Sequence, residues 1–174
     1  MVIKTIDVAR YCVLLIIDLG CGATPTGDVN IDLNPSWSKA ENFILASAQS
    51  IPIRSNVASL LFTSHMLEHV LSPFDVLCEI KRVTDKAIIR VPNNPVIFET
   101  DNHLYSWSKD SLQHLLSKVW DNVDVKVQTR YSKDFVKTRL FKIINKRGHL
   151  KKPILRLLSA VLRLELEAVC KSVT

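Results

Sequence analysis

With 174 residues, 47% of them apolar and 23% charged, the chain has material for one domain with a true core, and it carries no repeat or low-complexity tract. Its formal charge of +6 is unevenly spread: residues 1–129 hold 11 Lys+Arg against 14 Asp+Glu, and residues 130–174 hold 12 against 3. The basic character therefore belongs to the C-terminal region, where it either solvates a surface or steers nucleic acid or anionic lipid towards it. Cys12, Cys21, Cys78 and Cys170 form no CxxC pair and no metal-ligand spacing, which reads as reduced thiols in a cytoplasmic protein.

Residues 1–12 are weakly patterned. The VLLII run that follows Lys4 and Arg10 is cut by Asp18 after five apolar residues. It is too short for an export signal, and no segment approaches the ~20 apolar residues that span a bilayer. Residues 13–19, VLLIIDL, form a continuous run rich in branched side chains, as in a parallel strand buried on both faces. Between Gly20 and Asp28 lie Gly20, Gly22, Pro25 and Gly27, and breakers at that density exclude a helix. Parallel crossovers normally carry one. Nine extended residues nevertheless reach about 30 Å at roughly 3.3 Å each, enough to return along a strand of ~20 Å. A bare first crossover is expected.

Gly20 and Gly22 allow positive φ and a close backbone approach to a ligand. Asp32, closing the next apolar run VNIDLN, offers two acceptor oxygens suited to a ribose diol. Phe43 to Ala48 and residues 58–63 read as the third and fourth strands, and Ser64 to Val70 as a helical turn or more. Ser72 and Pro73 then cap and open a helix that ends before Asp85, with Phe74, Leu77, Ile80 and Val83 as its buried face. AIIRVPN supplies a fifth strand. Ser108 caps a helix running to about Val119, through Leu112, Leu115 and Leu116.

The segments VDVKVQTRY and FVKTRLFKIINKR alternate as an antiparallel pair of strands. Pro153 opens a predicted amphipathic helix, PILRLLSAVLRLELEAVCK, with Arg156, Ser159, Arg163 and Glu167 along one face. The expected organisation is a domain over residues 1–148 and a C-terminal amphipathic helix over 149–174, packing on the domain or on a partner subunit. Strands alternating with helices make an α/β sheet with layered helices. Ligands in such sheets gather at the carboxyl ends of the strands.

Four blocks occur in order: DLGCG at 18–22, VNIDLNP at 29–35, SIPI…SLLFTSHMLEHV from 50 to 70, and EIKRV…AIIRVPN from 79 to 93, followed by HLYSWSKDSLQHLL. Over about residues 13–145 the chain resembles the class I S-adenosylmethionine-dependent methyltransferases, in particular the small type 11-like family. The resemblance implies a Rossmann-like, mostly parallel sheet with a C-terminal antiparallel strand, its first crossover helix here shortened or absent. It implies S-adenosyl-L-methionine as cofactor. Asp18 would orient the glycine loop or the methionine amino group, and Gly20, Cys21 and Gly22 would approach the methionyl and ribose parts. Asp32 would bind the ribose hydroxyls, with Leu33 beside it. Where the family often reads Asp-Ala-Glu against the adenine, this chain has Ser47, Ala48 and Gln49, a neutral and weaker partner. Ser64 and His65 would lie near the sulfonium.

Methyl transfer from a sulfonium needs alignment above all, and a general base only for an acceptor protonated at working pH. His65, Glu68 and His69 are the candidate bases, with capping or buried hydrogen bonding as the competing role. Cys21 is a small loop residue rather than a nucleophile, since nothing pairs with it in the sequence. Tyr105 and Trp107 either wall an acceptor pocket or pack. The leading expectation is in-line methyl transfer to a small-molecule acceptor. The alternatives are RNA or protein methylation through a basic surface at Lys146, Arg147, Lys151 and Lys152, or a degenerate cofactor-binding or partner subunit. A dinucleotide-dependent dehydrogenase is disfavoured, because no third glycine and helix start follow Gly22 to receive a pyrophosphate. With no first crossover helix, the sheet beside it would be covered by the closing helix, the N-terminal segment or the second subunit of a homodimer.

Overall fold

The computed structural model describes residues 14–37, 39, 42–93, 102–129 and 164–172. Seven strands among them make one sheet. They are β1 Ile16–Leu19, β2 Val29–Asp32, β3 Phe43–Leu45, β4 Leu60–Ser64, β5 Lys86–Pro92, β6 Asn122–Thr129 and β7 Leu164–Lys171. Their spatial order is β3-β2-β1-β4-β5-β7-β6. β1 to β5 pair in parallel, and β7 runs antiparallel to both β5 and β6. This is the expected α/β, Rossmann-like, mostly parallel sheet with an antiparallel closing strand.

β1 lies inside the sheet, between β2 and β4, and Ile17, Asp18 and Leu19 are all buried there. The first crossover holds no helix, as its breakers predict. Its return is pinned to the start of β1: Ile16 N donates to Asp28 Oδ2 at 2.9 Å, and Asp28 N to the Ile16 carbonyl at 2.9 Å. A Cβ on Gly27 would stand 2.7 Å from both Asp18 N and the Val29 carbonyl oxygen. Only glycine lets the loop lie that close to the strand.

Helix α1, Pro73–Val83, starts as expected on a Ser72 cap with Pro73 in its first turn and Lys81 and Arg82 in its last, where cations complement the dipole. Its buried stripe is Pro73, Val76, Leu77, Ile80 and Val83. Phe74, expected on that face, is 46% exposed, and Val76 takes the inward position instead. Helix α2, Lys109–Leu116, begins with a reciprocal box between Ser108 and Ser111 and buries Leu112 and Leu116. It ends short of Val119 in turns.

The largest departure from the sequence reading is at the C-terminus. Residues 164–171 are not part of an amphipathic helix; they are β7, inserted between β5 and β6. Leu166, Ala168 and Cys170 alternate into the core opposite Val91, Ile89 and Ala87. Glu165 and Glu167 point to the other face, where Glu167 Oε2 takes Arg90 Nε at 2.7 Å and Oε1 takes Gln128 Nε2. Period-two burial with a buried partner on each side outweighs the helix propensity of Leu, Glu and Ala. β6 pairs with β7 along its length. Residues 135–147 and the remainder of the expected helix, 153–163, lie outside the described residues, as does the basic cluster Lys146, Arg147, Lys151 and Lys152.

Two further expectations are revised. β3 stops at Leu45, although Ala46 N still donates to the Asp32 carbonyl at 3.1 Å. Ser64 to Val70 is not helical: His65 sits at φ +54°, a left-handed conformation that ends any helix at that point, and turns follow.

Candidate functional site

The ends of β1, β2, β3 and β4 are neighbours by register, so Gly20, Asp32, Ala46 and Ser64 leave the sheet along one edge. Gly20 and Gly22 have φ of +73° and +55°. Gly20 N and Cys21 N both donate to the Ile31 carbonyl, at 2.8 and 3.2 Å. The loop thus turns across the end of β2. A Cβ on Gly20 would lie 2.7 Å from Met66 Cγ, so the glycine also lets the segment after β4 close in.

Asp32 joins this loop to the next one. Its Oδ2 accepts Gly22 N at 2.9 Å and its Oδ1 accepts Asn34 N at 2.8 Å. Each oxygen thereby carries one backbone donor and keeps capacity for another. Asp18 is buried, and its Oδ2 accepts both Thr26 N and Thr26 Oγ1, at 2.9 and 2.8 Å. It holds the crossover at Thr26. Cys21 is buried in the loop. Leu33, next to Asp32, is 74% exposed.

Past β3, Ser47 Oγ accepts Gln49 N at 3.2 Å, and Ser50 N donates to the Ser47 carbonyl. Ser47, Ala48 and Gln49 thus form a small turn whose hydroxyl hydrogen stays available. That turn is strapped to α1. Arg82 forks onto both oxygens of Glu79 at 2.8 Å and donates to the carbonyls of Ile51 and Ile53 at 2.9 and 2.8 Å. Glu79 Oε2 in turn accepts Ile51 N at 3.0 Å. The pairing holds the Glu79 carboxyl below its usual range. The i,i+3 spacing of Glu79 and Arg82 is the only trace of this strap in the sequence.

Beyond β4, His65 N donates to the Arg90 carbonyl, and its ring stands between two carboxylates. Nε2 is 2.9 Å from Glu165 Oε1 and Nδ1 is 3.3 Å from Glu68 Oε1. Glu165, then Glu68, raise the ring pKa from 6.5 to about 9 against the opposing effect of burial, so the imidazole is a cation at neutral pH. Glu68 is fully buried, and the approach of His65 is too poorly aligned to satisfy it: neither carboxylate oxygen has a hydrogen-bond partner among the described residues. His69 Nδ1 is 3.2 Å from the Asn102 carbonyl.

The backbone closes this corner. Leu104 N and Tyr105 N donate to the Glu68 carbonyl at 2.7 and 3.3 Å, clamping the 102–105 loop onto the 65–69 turn. The rings of His69 and His103 meet edge to face at 4.7 Å. Tyr105 stacks on Trp107 at 5.8 Å and donates its hydroxyl to the Leu71 carbonyl at 2.8 Å. Trp107 is buried, whereas Leu71, Phe74 and Leu104 are exposed. Glu165, Asn102 and His103 were missed in the sequence. Glu165 was hidden by its assignment to a helix, and only the alternation in LELEAVC would have exposed it.

The described residues contain no helix long and apolar enough to cross a membrane. Among the described residues Cys78 and Cys170 form no disulfide, and burial pushes the Cys170 thiol up to about 12.

Residues 17–87 match the family described as a methyltransferase domain. A search of curated proteins finds no match. Among solved structures, an S-adenosylmethionine-dependent methyltransferase from Thermotoga maritima, described as a possible histamine N-methyltransferase, is similar with a TM-score of 0.64 and 11% identity. The match covers 94% of this chain and 84% of that one. A chain of the complex between the Haloferax volcanii Trm112 methyltransferase activator and its methyltransferase matches with a TM-score of 0.60 and 12% identity, over 95% and 87%. Phosphoethanolamine N-methyltransferase 2 of Haemonchus contortus, solved with phosphomonomethylethanolamine and S-adenosylhomocysteine, matches with a TM-score of 0.61 and 12% identity, over 91% of this chain and 48% of that protein. The family match and the shared fold bear out the resemblance carried by the four sequence blocks.

Proposed function

From a class I methyltransferase fold with a methyltransferase-domain match over residues 17–87, we propose that the chain transfers a methyl group from S-adenosyl-L-methionine to a small-molecule acceptor. The observation that carries this reading is Asp32. Its carboxylate stands at the end of β2, tied to the glycine loop through Gly22 N, with one acceptor position left on each oxygen. A ribose diol has the two donors that would fill them. The site's chemistry fits the remaining parts of the cofactor. The loop carries no helix N-terminus for a phosphate, and the cofactor has none. Leu33 is an uncovered apolar side chain beside the carboxylate, and an adenine face would cover it. Gly20, Cys21 and Gly22 line the backbone approach, and the Ser47 to Gln49 turn offers the adenine edge a hydroxyl in place of a carboxylate. Ser64 stands at the end of the adjacent β4.

Bound S-adenosylmethionine supplies a methyl group already activated on a sulfonium. The chain's own residues hold the partners in line and exclude water, which accounts for much of the acceleration in such reactions. His65 does not serve as a general base, because both ring nitrogens face carboxylates. It links the end of β4 to β7 and presents a fixed positive charge. Glu68 is buried away from solvent, and His69 is committed at Nδ1 to a backbone carbonyl. The reading therefore assigns catalysis to alignment, with no obligatory proton acceptor.

Exposed Leu71, whose carbonyl takes the Tyr105 hydroxyl, and exposed Leu104, next to Tyr105 in the chain, support an acceptor with an apolar portion. Incubating the protein with methyl-labelled S-adenosylmethionine and cell extract, followed by fractionation, tests this reading. Label in the small-molecule fraction is the expected result. Label confined to RNA or protein would favour docking through the basic C-terminal region, and no transfer to any fraction would favour a partner-subunit role.

A further inference from the structure

We infer that Glu68, His69 and His103 form a binding site for a divalent transition-metal ion of the Zn2+ type. Their ligand atoms, one carboxylate oxygen and one ring nitrogen from each histidine, already lie within 4.8 Å of one another. Two imidazoles with one carboxylate form a donor set suited to zinc and its neighbours rather than to magnesium or calcium, which prefer oxygen alone. Three protein ligands leave coordination positions open for water or another oxygen donor.

Two independent features point to a cation-binding role. The first is Glu68 itself, fully buried with neither oxygen hydrogen-bonded among the described residues. A carboxylate taken out of water is costly unless a charge or donors compensate for it. The His65 imidazolium stands 3.3 Å from Oε1 without hydrogen-bond alignment and offsets part of the charge there, while Oε2 has no hydrogen-bond partner among the described residues. A metal ion bound there would supply the compensation. The second is the state of His69. Its Nδ1 faces the Asn102 carbonyl at 3.2 Å, an acceptor-only group, so Nδ1 carries the hydrogen and Nε2 carries the lone pair. A metal-ligating histidine typically donates its other ring N–H to just such a carbonyl.

The ligands are also held in advance. Glu68 and His69 come from the turn after β4, and His103 from the loop before α2. The hydrogen bonds from Leu104 N and Tyr105 N to the Glu68 carbonyl join the two.

The test is a Zn2+ titration of chelator-treated protein against a chromophoric competitor, with Co2+ as a spectroscopic substitute. It needs neither cofactor nor acceptor, so its outcome is separate from that of methyl transfer. The wild-type chain should take up one equivalent and give the intense visible bands of four- or five-coordinate Co2+. Loss of an outer partner of a metal site costs 10- to 100-fold in affinity, so His69→Ala and His103→Ala should each cost at least about 100-fold. His114→Ala, on the exposed surface of α2, should change nothing. Glu68→Gln should abolish uptake, and because that variant touches a buried position the two histidine variants carry the test if it fails to fold. Absence of stoichiometric uptake by the wild type, uptake that survives both histidine substitutions, or a pale six-coordinate Co2+ spectrum would overturn the assignment.

Discussion

Replacing Glu165 with Gln should remove most of the link between His65 and β7, and the loss should depend on pH. In the folded chain His65 holds its proton up to about 9, against 6.5 for the free side chain, chiefly through Glu165. A group that binds its proton more tightly when folded stabilises fully below its unfolded pKa and loses that contribution as pH rises through the folded one. The window is therefore pH 6.5 to about 9. At 1.36 kcal/mol per tenfold change, the ceiling is about 3 kcal/mol. The ring is 30% exposed and solvent screens it, so about 1 to 2 kcal/mol is the realistic share. Urea unfolding of wild type and Glu165→Gln at pH 6 and pH 9.5, with chelator present, measures it. The wild type should lead at pH 6 by that amount more than at pH 9.5, and the His65 ring protons should titrate closer to 6.5 in the variant. A stability gap that stays constant across the window would refute the reasoning.

Gly27→Ala places a methyl against two backbone atoms at 2.7 Å and should cost about 1 to 3 kcal/mol in urea unfolding; a loss below about 0.5 kcal/mol would mean that the loop can move away from β1. Arg82→Lys keeps the charge but loses the fork onto Glu79 and the bonds to Ile51 and Ile53. It should cost about 1 kcal/mol and speed hydrogen exchange at the Ile51 amide, which donates to Glu79. Unchanged exchange there would show that the strap does not hold the Ser47 turn.

Where local chemistry and tertiary context agreed, the sequence was a reliable guide. Ser72 and Pro73 placed the start of α1, the breakers between Gly20 and Asp28 foretold a bare crossover, and the VNIDLN run put Asp32 at the end of β2. The errors came where two periods competed. LELEAVCK is rich in helix formers yet alternates strictly, and its slot between β5 and β6 decides for the strand. Phe74 fits the helical stripe by spacing, but the inward position belongs to Val76. The His65 to His69 turn depends on a left-handed backbone at His65, which no periodicity encodes. The meeting of Glu68 and His69 with His103 depends on a loop contact between segments more than thirty residues apart.

The central claim rests on Asp32, and calorimetric titration with S-adenosylhomocysteine addresses it most directly. Wild-type protein should bind one equivalent, and Asp32→Ala should bind about 10- to 100-fold more weakly, the worth of hydrogen bonds to a charged carboxylate. No binding by the wild type up to about millimolar ligand, or equal affinity in a folded Asp32→Ala variant, would contradict the account.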